Sequence, residues 1–285
     1  MATRYWVATS DGPLSTAGNW SPSGAPAAGD VLILSSGAIS VTGGNYTSLG
    51  AIAEIRITPD WTGNFGTSDA YVQVESNQVV INNAGKVYID TETDAAGSRL
   101  LVVGCSDEVH IAGKVSEVRI SNGNGAITIE QETDTTTSSG NTDIAALYVL
   151  GTSTSDISID ASVSSLATLT IDSATVDLNC NCTTARVYGG KLNIKSAAAL
   201  TTAEVFGNGK IKDTGTGTIT TLTIFGGIAE FDENASDGVT VTNCTINDGI
   251  LDLSTALQNI TFTNAIVVNG GDILPPIGSS LTVAY

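Results

Sequence analysis

The chain is written in short runs where apolar and polar residues alternate. In "TARVYGGKLNI" (184–194), Ala185 and Val187 alternate, a Gly pair intervenes, and Leu192 and Ile194 alternate again. Period-two alternation puts every second side chain on one face, so each run predicts a short strand with one face inward. The interrupting Gly, Asn and Asp predict corners, where Gly accepts positive φ. Helix formers are sparse and β-formers dominate, so the pattern reads as all-β.

The runs also repeat. "TARVYGGKLNI" (184–194), "TAEVFGNGKIK" (202–212) and "TLTIFGGIAEF" (221–231) can be laid over one another, and 168–178, 240–253 and 259–271 are looser copies. Tyr188 to Phe206 spans 18 residues and Phe206 to Phe225 spans 19. Such a repeat is too short for a propeller blade and suits one turn of a β-solenoid. Stacked coils pair each strand with its equivalents above and below, at about 4.8 Å. Like residues then pile into ladders. Tyr188, Phe206 and Phe225 are expected to form a stacked ring column, and Val187, Val205 and Ile224 to share a position.

A longer repeat relates "IDTETDAAGSRLLVVGCSD" (89–107) to "IEQETDTTTSSGNTDIAALYVLGTS" (129–153). Ile89 and Ile129 lie 40 residues apart, two coils. The polar loops in both copies are expected to project from one side as surface insertions. Asp90, Glu92 and Asp94 alternate, as do Glu130, Glu132 and Asp134. Either set could hold calcium, but the Gly-Gly-x-Gly-x-Asp calcium repeat is absent, and the reading is a solvated acidic face.

The expected fold is therefore all-β: a single right-handed parallel β-helix of about 18–20 residues per coil with an N-terminal cap. Residues 1–50 form the capping or attachment segment, 51–271 the β-helix and 272–285 a C-terminal tail. At about 19 residues per coil the regular part makes about eleven coils, a rod about 50 Å long. A solenoid cannot leave its terminal coil bare, because the edge would pair with other chains and the core would meet water. Trp6, Trp20 and Trp61, the only tryptophans, are expected to form the structural cap. Gly24, Pro26 and Gly29 bend the chain around them.

Composition narrows the chemistry. With 29 acidic against 11 basic residues the net charge is −18, which repels a phosphate backbone and argues against direct nucleic-acid binding. "MATRYWVATS" lacks the apolar core of a signal peptide and no later segment resembles a membrane span, so neither export nor a membrane partner is expected. Cys105, Cys180, Cys182 and Cys244 read as small core residues; Cys180 and Cys182 lack the second ligand pair of a zinc site. The single histidine, His110, reads as structural or surface. There is no G-x-S-x-G, P-loop or H-E-x-x-H motif. The chain is expected to be no enzyme, with no catalytic, cofactor-binding or metal site.

The opening "RYWVATSDGPLSTAGNWSPSGAPAAGDVLIL" resembles the start of a loose group of bacteriophage β-helix structural proteins. Tyr5, Trp6, Val7, Asn19, Trp20, Ser21, Pro26 and Asp30 carry the likeness, which covers about the first 35 residues. A similar Gly-Asn-Trp-Ser followed by Gly-Asp occurs in secreted bacterial β-helix proteins. The phage resemblance implies a virion structural role, with assembly in the host cytoplasm. Within that role the expectation is a capsid decoration (cement) protein. It would sit as a homotrimer on the capsid exterior, bound to the major capsid protein. The alternatives are a tail fibre or tailspike binding host polysaccharide, or a bacterial β-helix surface adhesin.

Overall fold

The computed structural model of the chain describes residues 1–92, 98–122, 124–131, 141–151, 156–195, 198–231, 238–255, 260–275 and 283–284. It is a β-solenoid. Among the described residues the only helical pieces are single 3₁₀ turns at Ala17–Asn19 and Thr47–Leu49. The chain divides into two compact units, one built on Met1–Tyr148 and the other on Val149–Gly151 and Asp156–Tyr285.

In the first unit, strands Thr3–Trp6, Val31–Leu34, Glu54–Ile57, Gln78–Asn83, Arg99–Cys105 and the end of Val109–Ile120 stack in parallel register. Alternation sends every second residue inward. Leu32, Ile55, Val79, Leu100 and Val118 form one column, and Leu34, Ile57, Ile81, Val102 and Ile120 the next; all ten are fully buried. A second sheet stacks Val72–Val74, Val87–Glu92, Val109–Ile120 and Ile127–Ile129. There Ile89 lies under Ile111 and Ile111 under Ile129, so the longer sequence repeat does span two coils. Its loops, 93–97 and 132–140, fall outside the described residues, and with them Asp94, Glu132 and Asp134.

The second unit has the same logic. Ile171, Val187, Val205, Ile224 and Ile246 form one inward column. Ile157, Val176, Leu192, Ile211, Ala229 and Leu251 form another. Burying one such aliphatic side chain contributes about 1.5–3 kcal/mol, so the columns hold the stack together. Val187, Val205 and Ile224 occupy equivalent positions, as the repeat requires.

Coil length is less uniform than the 18–20 residues expected. In the second unit Ala185, Ala203 and Leu222 follow at 18 and 19 residues. In the first, Leu32, Ile55 and Val79 follow at 23 and 24. Only inward strand positions are tied to the ladder. Extra residues go into corners, where nothing fixes their number. Parallel pairing also reaches ahead of residue 51, through Val31–Leu34 to Thr3–Trp6, so the capping segment is itself laddered.

One corner explains a glycine column. Gly190, Gly227, Gly249 and Gly271 all have φ between 69° and 91°. A Cβ on Gly227 would lie 2.3 Å from the Gly209 carbonyl oxygen. Left-handed backbone and close coil-to-coil approach together demand Gly there. In the coil below, Ala174 takes φ 76°.

Candidate functional site

Three features stand apart from the repeating stack: its first edge, a largely buried polar cluster of the first unit, and a ring column on the second.

At the first edge, the two-residue strand Trp20–Ser21 pairs antiparallel with Tyr5 and Trp6. It occupies the hydrogen-bonding side of Thr3–Trp6 that Val31–Leu34 leaves open. Trp6 and Trp20 meet edge to face, 5.1 Å between ring centres. Trp20 Nε1 donates to the Leu14 carbonyl at 2.7 Å. Trp6 and Trp61 both donate to the Ile39 carbonyl, at 3.2 and 3.1 Å. All three indoles are buried. Asp30 locks the corner beneath them. Its carboxylate accepts from the Ala2 N–H at 2.6 Å, Arg4 Nε at 2.8 Å and the Ala27 N–H at 3.2 Å. Burial alone would raise this carboxyl, but the hydrogen bonds from Arg4, Ala2 and Ala27 outweigh burial and hold it below the ordinary range.

The polar cluster links successive coils. Tyr88 and His110 are register partners, and their rings stack at 4.6 Å. Tyr71 meets Tyr88 edge to face. Tyr71 Oη donates to Glu130 at 2.6 Å, and His110 Nδ1 lies 2.5 Å from the same carboxylate oxygen. Tyr88 Oη donates to Glu108, which also pairs with Lys86 at 2.8 Å. Donation from Lys86, then Tyr88, draws the Glu108 carboxyl down against the effect of burial. Burial, reinforced by Glu108, pushes the Tyr88 phenol up. Each acid is thus met by side chains from other coils. The set acts as a clasp across the sheet. His110 has a structural place here, and its stacking partner Tyr88 and its close carboxylate Glu130 come from other coils. The one sequence signal is spacing: Lys86 to Glu108 and Tyr88 to His110 are both 22 residues.

Asp90 corrects an expectation. Alternation assigns it to a solvated acidic face, yet it is fully buried. Gly113 in the next coil makes this possible, since a Cβ there would lie 2.2 Å from Asp90 Oδ1. Glu130 is half-buried and engaged as above, while Glu92 ends the strand Val87–Glu92. Among the described residues no group of three or more His, Cys, Asp or Glu is placed to hold a metal ion.

On the second unit the rings of Tyr188, Phe206 and Phe225 stack at 4.6 and 4.8 Å with planes within 12°. The column lies on the outside: Tyr188 is 44% and Phe225 43% exposed. It stops at Phe225, which faces Asp248 across a register shift. Within the column both faces of the Phe206 ring are covered by its neighbours. The four cysteines are buried and free. Burial pushes the thiols of Cys180, Cys182 and Cys244 up to about 12, which leaves them inert as nucleophiles. Asp213 stands in an inward column between Ile194 and Phe231. Oδ1 accepts from the Gly215 N–H at 2.9 Å, and Oδ2 is buried without a partner among the described residues. The sequence pattern hid this acid, because Asp213 sits where the repeat calls for an aliphatic residue.

Fold and surface together define a class, an acidic parallel β-solenoid whose first edge is sealed by its own chain. No protein-family model, curated protein or solved structure matches the chain.

Proposed function

We propose that this protein is a non-enzymatic structural component of a phage virion, a capsid decoration protein. In this reading it binds the outside of the head as a homotrimer and braces neighbouring major capsid subunits. The observation that carries the reading is the continuous laddering of apolar columns within each unit, closed by a dedicated cap. A stack in which every coil is hydrogen-bonded to the next resists deformation along its ladder, which suits a brace against internal pressure. The likeness of the first 35 residues to phage β-helix proteins supports it. So does charge: Arg4, Asp11 and Asp30 are the only charged residues in the first 50, and charge-poor surfaces are cheaper to bury in an interface. That segment is the proposed foot.

The test is a phage lacking the gene. Particles should assemble but rupture more readily on heating or chelation, with host adsorption unchanged. Stable particles that no longer adsorb would overturn this reading in favour of a tail fibre.

A further inference from the structure

Among the described residues, the last coil of the second unit is only half covered. Its strands Ile260–Phe262, Ile266–Val268 and Asp272–Leu274 lie in parallel register on Val239–Asp252. Ile260 stands over Val239, Phe262 over Val241, Val268 over Ile246 and Ile273 over Leu251. The four residues beneath are at most 1% exposed. The four above continue the same inward apolar columns but are only half-buried. Val267 and Leu274, on the outward side of these strands, are each 41% exposed. Among the described residues only Ile266–Val268 has a further strand beyond it, Val283–Ala284. Ile260–Phe262 and Asp272–Leu274 have no described strand on their far side. Half-exposed core beside an edge that no described strand pairs is an association surface.

Charge and topology select the occupant. Between Ile260 and Pro275 the only charged residue is Asp272, in a chain of net charge −18. Copies of so acidic a protein repel one another over most of their surface, and only weakly here. The first coil is the poorer mate, since Trp20–Ser21 already pairs with Tyr5 and Trp6 at its edge. Head-to-tail stacking is thereby disfavoured. The same last coil of another copy offers what this edge lacks: backbone donors and acceptors, apolar cover and almost no charge. We propose that the last coil is a self-association surface, closed by the last coil of a second copy of this chain. A contact between like ends closes on itself and does not propagate a filament. It stands independently of the virion reading.

Sedimentation velocity on the full chain tests it. The parent should be oligomeric at micromolar concentration. Phe262→Lys and Ile273→Lys should raise the dissociation constant by at least about tenfold, while Tyr5→Lys, in the first unit, leaves it unchanged. Because a lysine at Phe262 could loosen the coil itself, Val267→Lys is measured alongside, with circular dichroism to show retained β-structure. A monomeric parent overturns the proposal. So do folded lysine variants that associate as the parent does, or an equal loss from Tyr5→Lys. Capsid binding is read separately, so either idea can fail alone.

Discussion

Asp213 breaks the inward pattern of the second unit, and its cost is readable in pH. Burial raises the Asp213 carboxyl from 3.8 to about 6, against the Gly215 hydrogen bond. A folded-state value above the unfolded one means that folding takes up a proton between the two. This contribution therefore favours the native state at low pH and is lost as pH rises through about 6. Ionising a carboxyl held that high costs the fold about 3 kcal/mol at neutral pH. The thermal midpoint should rise as pH is lowered from 7 to about 5.5, and Asp213→Asn should flatten that rise. Asp30, Glu108 and Glu230, whose carboxyls lie below their ordinary values, lose stabilisation only at still lower pH. An unchanged slope in Asp213→Asn would mean that the carboxyl is not the group responsible.

At the scale of elements, the sealed first edge depends on a two-residue strand. Trp20 contributes a buried ring, an edge-to-face contact with Trp6 and a hydrogen bond to Leu14. Trp20→Ala should cost about 3–5 kcal/mol. It should also loosen the antiparallel strand from Tyr5 and Trp6 and expose the edge of Thr3–Trp6. End-to-end aggregation should follow, visible in light scattering. A variant as stable and soluble as the parent would show that the indole does not seal the stack. The ring column differs in kind. Tyr188, Phe206 and Phe225 follow from the repeat as a ladder, but their outward placement follows from where the corner turns. Each ring immediately succeeds an inward residue, Val187, Val205 or Ile224, and so falls on the opposite face.

For the whole molecule, the dominant long-range term is its own charge. The cations are largely engaged on the sheet faces, as in Arg186–Glu204, Lys195–Asp177 and the pairing of Lys210 and Lys212 with Glu230. The acid in excess repels itself. Raising ionic strength to about 0.15 M shortens the screening length to about 8 Å, so the melting midpoint should climb with added salt. A midpoint that is flat or falls with salt would show that local ion pairs outweigh the net repulsion.

Alternation, the recurrence of Val-aromatic-Gly and the scarcity of helix formers were enough to fix strands, inward columns and the parallel stack. Those features depend on local periodicity, which one strand states and the next repeats. The columns through Val187 and Ile224 were legible for that reason. The Tyr71–Tyr88–His110 clasp was not, because its members come from separate coils. Their meeting depends on the lengths of corners that no ladder constrains. Asp90 looks solvated by alternation and is buried, since outward on a strand is not outward on the molecule once Gly113 lets the next coil close over it. The partial exposure of the last coil was equally invisible, for its residues are as apolar as those beneath them. Sequence decides which face of a strand wants cover, and only the folded chain decides whether cover arrives.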